Sequence, residues 1–104
     1  SSLSTVAINN IDSKIYLALR TDPTAITTCS IESNNSLQNC NTAYPTDIMV
    51  MLEGIALNSN SSMAYVISDS GTISSCPLDN DDFSNCNTYY VGFNLTSIFI
   101  LSNN

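Results

Sequence analysis

The chain of 104 residues contains no histidine and no tryptophan, and Lys14 and Arg20 are its only basic residues. Each absence removes a class of chemistry. Without histidine there is no Ser-His-Asp triad, no imidazole acid-base pair and no His-ligated zinc site. Two cations cannot make the clustered patch that tracks a phosphate backbone, so nucleic acid is not expected as a partner. The longest apolar runs are Ile48-Met49-Val50-Met51-Leu52 and Ile98-Phe99-Ile100-Leu101. Both fall far short of the ~20 residues a membrane-spanning helix needs, so no membrane span is expected. They read instead as buried strands. Charged residues make up 11% of the chain, against about a quarter in an ordinary soluble domain. No segment sustains a 3.6-residue apolar period, so no long helix is expected.

What the chain has is short polar side chains: 17 Ser, 14 Asn and 10 Thr, with 43% hydrophobic residues and a net charge of -7. It also has four cysteines, Cys29, Cys40, Cys76 and Cys86. An even count in a small, weakly charged chain suggests two disulfides and an oxidising, extracellular or cell-surface setting. Free buried thiols and a four-thiolate zinc site are the competing readings. The wide spacing within each pair disfavours zinc, whose cysteines usually come in close pairs. The chain opens at Ser1 without Met, which fits a secretory leader already removed. Three sequons start at Asn34, Asn60 and Asn94 and are candidate glycosylation sites.

Sliding the chain against itself exposes a repeat. Thr5-Val6-Ala7-Ile8-Asn9 resembles Gly54-Ile55-Ala56-Leu57-Asn58, and Lys14-Ile15-Tyr16-Leu17 falls on Met63-Ala64-Tyr65-Val66. Ala25-Ile26-Thr27-Thr28-Cys29-Ser30-Ile31 matches Thr72-Ile73-Ser74-Ser75-Cys76-Pro77-Leu78, and Asn-Cys-Asn-Thr recurs at 39–42 and 85–88. A third copy opens at Ile98-Phe99-Ile100-Leu101. The period is about 44 to 49 residues. Each unit reads as four short strands separated by Asn, Asp, Ser, Gly and Pro, the residues of turns. The expected strands are 6–9, 14–20, 25–31 and 37–44, then 55–58, 63–68, 72–78 and 83–91. The expected units are a first repeat over 1–53, a second over 54–97, and an opening strand of a third over 98–104. Each repeat puts one cysteine on its third strand and one on its fourth. Neighbouring antiparallel strands bring opposed side chains within disulfide reach. Cys29–Cys40 and Cys76–Cys86 are therefore the expected pairs.

A four-stranded unit of this length is the size of a β-propeller blade. The order Gly54-Ile55-Ala56-Leu57-Asn58, Ala64-Tyr65-Val66, Thr72-Ile73-Ser74-Ser75-Cys76-Pro77-Leu78 and Asn85-Cys86 resembles the cysteine-bearing YVTN-type (lactonase-like) propeller repeats of bacterial secreted and surface proteins. The resemblance implies an all-β fold of two four-stranded antiparallel propeller-like blades plus an orphan C-terminal strand. Two blades are fewer than the roughly four of a closed ring. The chain is then a fragment of a longer propeller, a ring formed by several copies, or a head-to-tail filament in which Ile98, Phe99, Ile100 and Leu101 add to a neighbour by strand addition. A compact two-sheet sandwich is the alternative.

Candidate chemistry is sparse. Asp79, Asp81 and Asp82 are weak calcium candidates, and a solvated hairpin tip is the simpler reading. Tyr16 and Tyr65 occupy equivalent positions and read as core, whereas Tyr44, Tyr89 and Tyr90 are candidates for a carbohydrate groove. Lys14 and Arg20 are expected at the exposed ends of strand two. No histidine activates a serine, and no catalytic residue carries over from lactonase-like propellers. The expectation is a non-enzymatic, extracellular, self-assembling structural subunit without cofactors, whose partners are copies of itself. An adhesin-like module binding glycans or a surface protein is the alternative, and a hydrolase ranks last. Peptide mapping without reduction checks the pairing: Cys29–Cys40 and Cys76–Cys86 cross-links are expected, and a Cys29–Cys76 link breaks the repeat.

Overall fold

Alternating apolar and polar residues, many β-branched, favour extended chain, and the polar clusters between them turn it. The computed structural model describes residues 2–48, 51–79 and 81–92. Among the described residues there are eight strands and no helix: β1 Ser2–Asn9, β2 Lys14–Arg20, β3 Ala25–Ile31, β4 Leu37–Ala43, β5 Leu52–Leu57, β6 Met63–Ser68, β7 Thr72–Pro77 and β8 Asn87–Tyr90. They form two four-stranded antiparallel sheets, each a meander in chain order, β1-β2-β3-β4 and β5-β6-β7-β8. The two sheets are successive repeats and pack through β1 and β2 against β5. Segment 44–51 thus carries the chain from the outer edge of the first sheet back to the inner strand of the second.

Local turn chemistry repeats with the sheets. The Asn9 side chain accepts from the amides of Ile11 (3.1 Å) and Asp12 (3.0 Å) after β1. Its counterpart Asn58 accepts from Ser62 (2.9 Å) and Met63 (2.9 Å) after β5. Hydroxyl pairs link the outer strands at matching places: Thr27 with Thr42 at 2.7 Å and Ser74 with Thr88 at 2.7 Å. Disulfides join Cys29 to Cys40 and Cys76 to Cys86, with Cα atoms 4.1 and 4.3 Å apart. Beside them Asn39 (φ 55) and Asn85 (φ 59) adopt the left-handed backbone. Asparagine tolerates that conformation better than most residues.

Several boundaries differ from the sequence reading. β1 starts at Ser2 rather than residue 6, and β5 at Leu52 rather than 55. β8 is only Asn87–Tyr90, because Phe83 (φ 54) and Asn85 (φ 59) keep 83–86 out of extended chain. The apolar run at 48–52 is not one strand. Ile48 is buried in a bend, Met51 has φ 63, and only Leu52 enters β5. Met49 and Val50 lie outside the described residues, as does the expected third-repeat strand Ile98, Phe99, Ile100 and Leu101.

A bulge sets the faces. In an unbroken strand Leu3 and Val6 point to opposite sides. The β1–β2 register shifts between Leu3 and Thr5, so Leu3↔Leu19, Val6↔Leu17 and Ile8↔Ile15 form one apolar face. The second sheet repeats the shift between Leu52 and Gly54, giving Leu52↔Ser68, Ile55↔Val66 and Leu57↔Ala64 on one face. That second face packs on the opposite side of the first sheet, the side of Ala7, Tyr16, Ala18 and Ile26, and buries Leu52, Ile55, Ala64 and Val66. Full burial of such a side chain contributes about 1.5–3 kcal/mol.

Repeat-equivalent residues therefore differ in burial. Leu52 is 0% exposed and Leu3 56%. Leu52→Ala is expected to cost about 2–5 kcal/mol, as core truncations do. Leu3→Ala is expected to stay within about 0.5 kcal/mol in the isolated chain. Urea denaturation of the two variants checks the contrast.

Candidate functional site

Two features stand out: a cleft at the outer edge of the inter-sheet junction, and the apolar face of the first sheet that nothing described covers. The cleft is built on β2. Alternation points Lys14, Tyr16 and Ala18 toward the second sheet. The β7–β8 turn reaches back to meet them. Phe83 stacks edge-on to the Tyr16 ring, with centroids 5.8 Å apart and planes at 86°. The Tyr16 hydroxyl donates to Asp81 Oδ1 at 2.8 Å. Lys14 Nζ forms an ion pair with Asp81 Oδ2. Asn9 Nδ2 donates to the Tyr16 hydroxyl at 3.5 Å and to Asp12 at 3.1 Å. Burial pushes the Tyr16 phenol from 10.0 up to about 12; the Asn9 hydrogen bond opposes the rise, and the bond to Asp81 and its charge add to it.

Arg20 bridges the sheets at the other end of β2. Its Nε donates to Glu53 Oε2 at 2.6 Å and its Nη2 to Asp69 Oδ2 at 3.2 Å. Lys14 and Arg20 are thus not merely the exposed ends of a strand. Both basic residues of the chain tie one sheet to the other. Pairs this exposed contribute about 0–1 kcal/mol each and act mainly on orientation.

Beyond Tyr16 the sheets splay. A cleft of about 520 Å³ opens between Thr28, Ser30, Asn41 and Ala43 on one side and Asp81 and Asp82 on the other. Thr28 Oγ1 is buried there without a hydrogen-bond partner. The lining is about equally polar and apolar by surface and holds no aromatic ring among the described residues. Tyr44, Tyr89 and Tyr90 are 63%, 57% and 75% exposed and lie elsewhere, so they do not build a groove with it.

The acidic segment is the solvated tip expected of it at Asp79 and Asp82, which are exposed, but not at Asp81. Asp81 is engaged by Lys14 and Tyr16, and Asp82 Oδ1 accepts from Ser84 Oγ at 2.8 Å and the Ser84 amide at 3.1 Å. Asp79 is exposed and Asn80 is outside the described residues. Among the described residues no three His, Cys, Asp or Glu side chains converge as metal ligands, and no helix is long and apolar enough to cross a membrane. The described sequon asparagines are accessible. Asn34 and Asn60 are exposed, and each accepts from the hydroxyl two residues on, at 2.7 Å from Ser36 and 2.7 Å from Ser62. Asn94 lies outside the described residues.

The second feature is the face of Leu3, Val6 and Ile8, which are 56%, 43% and 54% exposed, with Ile15, Leu17 and Leu19 half-buried beside them. Residues 14–20 put apolar side chains on both faces of β2, and among the described residues only one of those faces is covered. No protein-family model matches the chain, and no curated protein is similar to it.

The Tyr16 environment has a pH signature. A phenol raised above its unfolded value keeps its full stabilising effect below about pH 10. That effect is lost as pH rises through about 12. Tyrosinate absorbance is expected to show one of five tyrosines titrating late. Tyr16→Phe is expected to remove that late step and cost about 1–2 kcal/mol.

Proposed function

We propose that the chain is a non-enzymatic, extracellular, disulfide-stapled structural repeat that works by assembling with sheets like its own, in the manner of cysteine-bearing YVTN-type propeller blades. The observation that carries this reading is the contrast between repeat-equivalent faces. Leu52, Ile55, Ala64 and Val66 are buried under a neighbouring sheet, whereas Leu3, Val6 and Ile8 are exposed at equivalent positions. A contiguous apolar face of this kind favours association. The two disulfides are compatible with an oxidising exterior, and the Ser/Asn/Thr surface hydrates an assembled particle.

The cleft favours a second reading, a glycan-binding adhesin-like module. A mixed lining of Lys14, Asn41, Asp81 and Asp82 with the unpartnered Thr28 hydroxyl suits a hydroxyl-rich ligand better than an apolar one. Analytical ultracentrifugation and negative-stain microscopy test the first reading. Concentration-dependent oligomers are expected, and a strictly monomeric 11.2 kDa species overturns it. Binding on a glycan array that is lost in Asn41→Ala supports the second reading.

A further inference from the structure

Asparagine side chains close several turns of this chain, and they do so in two ways. Asn9, Asn41 and Asn58 use the carboxamide nitrogen as a donor. Asn9 Nδ2 donates to Asp12 at 3.1 Å, Asn41 Nδ2 to the Asn39 carbonyl at 3.4 Å and Asn58 Nδ2 to Ser62 Oγ at 2.9 Å. Asn34 and Asn60 use the oxygen alone. Asn34 Oδ1 accepts from the Ser36 amide at 3.0 Å and the Ser36 hydroxyl at 2.7 Å. Asn60 Oδ1 accepts from the Ser62 amide at 3.2 Å and the Ser62 hydroxyl at 2.7 Å. A backbone amide only donates, so oxygen is the atom that faces it and nitrogen is the atom left over. Among the described residues nothing accepts from either Nδ2, and both asparagines are exposed. The two residues held in this way are the two described sequon asparagines.

Their place in the fold is shared as well. The β3–β4 turn adjoins the β1–β2 turn through the Ile31 amide and the Ser13 carbonyl at 2.8 Å. The β7–β8 turn adjoins the β5–β6 turn through the Leu78 amide and the Ser62 carbonyl at 3.0 Å. Lys14 and Asp81 bring these ends of the two sheets together. Asn34 and Asn60 therefore lie at one end of the molecule, opposite the seam of Arg20 with Glu53. Neither belongs to β1 or β2, which carry the open face of Leu3, Val6 and Ile8.

Resting on the extracellular part of the reading above, we infer that Asn34 and Asn60 are N-glycosylation sites, selected by a turn that holds the oxygen and presents the nitrogen. The co-reactant is a lipid-linked oligosaccharide pyrophosphate, handled by a transferase. Nδ2 gives its proton to a base of the transferase and bonds to C1 of the first sugar. The C1–O bond to pyrophosphate breaks, and pyrophosphate leaves with the electron pair. As the proton departs, charge gathers on Oδ1, where the serine amide and hydroxyl already point. Each glycan extends from a loop end into water. It hydrates the end where the acidic turns cluster and leaves the open face bare.

The full chain, secreted behind a cleavable leader from a eukaryotic host, tests this. Peptide mapping before and after peptide-N-glycosidase reads each site separately, because removal of the glycan leaves aspartate in place of asparagine. The host's N-linked oligosaccharide is expected on Asn34 and on Asn60 in most molecules. Ser36→Ala is expected to clear Asn34 alone, and Ser62→Ala to clear Asn60 alone. Ile11→Ser, at a position 63% exposed, completes a further sequon on Asn9. Asn9 is 0% exposed and its nitrogen is engaged by Asp12 and Tyr16, so it is expected to stay unmodified. Every variant is checked for native circular dichroism. Asn9 modified as fully as Asn34 means that sequence alone selects, and overturns the inference. Either Asn34 or Asn60 left bare on a secreted chain with both disulfides formed overturns it and leaves the extracellular reading standing. A chain retained in the cell without those disulfides overturns both.

Discussion

Tyr16 is the side chain on which the junction between the sheets depends. A phenol has an apolar body and a polar tip, and it is stable in a core only where both are served. Here Phe83 serves the ring and Asp81 the hydroxyl. Both belong to the β7–β8 turn, so one residue of the first sheet fixes the most irregular loop of the second. The Cys76–Cys86 disulfide closes that same loop and limits how far Phe83 and Asp81 can move. With the turn held, Lys14 meets Asp81 and the outer parts of the sheets splay into the cleft instead of collapsing.

The bulges in β1 and β5 decide which faces are apolar. A one-residue shift moves every later side chain to the other side of a sheet. The shift after Leu3 brings Leu3 into line with Val6 and Ile8, and the shift after Leu52 does the same for Leu52, Ile55 and Leu57. Each sheet consequently has two sides, one centred on a tyrosine and one mainly aliphatic. A sheet with two apolar sides is characteristic of stacked architectures, in which every interior layer has neighbours above and below. Two such sheets in contact satisfy one side of each. That is why the aliphatic side of the first sheet remains exposed while its repeat in the second is among the most buried surface of the chain.

Much of the fold was legible because the repeat is local. Five strand ranges, 14–20, 25–31 and 63–68 in full and 37–43 and 72–77 to within one residue, follow from apolar runs bounded by turn residues. The cysteine pairing follows from the same frame. Other features were hidden because they are not repeated. Lys14 pairs with Asp81, but the corresponding positions hold Met63 and Asn35, so alignment of the repeats gives no hint of the bond. The Arg20 contacts to Glu53 and Asp69 span distant segments, which strand periodicity cannot connect. Phe83 reads as a strand residue because the repeat aligns it with Leu37, the first residue of β4. Its left-handed backbone and burial in a turn are set by the tertiary contact with Tyr16.

The placement of charge bears on how copies of such a chain would approach one another. With a net charge of -7, copies repel one another at long range. The exposed acidic residues Asp12, Asp22, Glu32, Asp47, Asp79 and Asp82 all sit in turns or at their borders. None lies among the three cross-strand apolar pairs of the open face. Repulsion therefore acts between sheet edges and loop ends, near the outer edges of β4 and β8, which have no further strand partner among the described residues. The aliphatic face is left without that penalty. Both basic residues are already committed to the seam between sheets. The acidic surplus that looks like a bare compositional bias thus has a directional effect. It discourages edge-to-edge contact and leaves the aliphatic face free of charge repulsion.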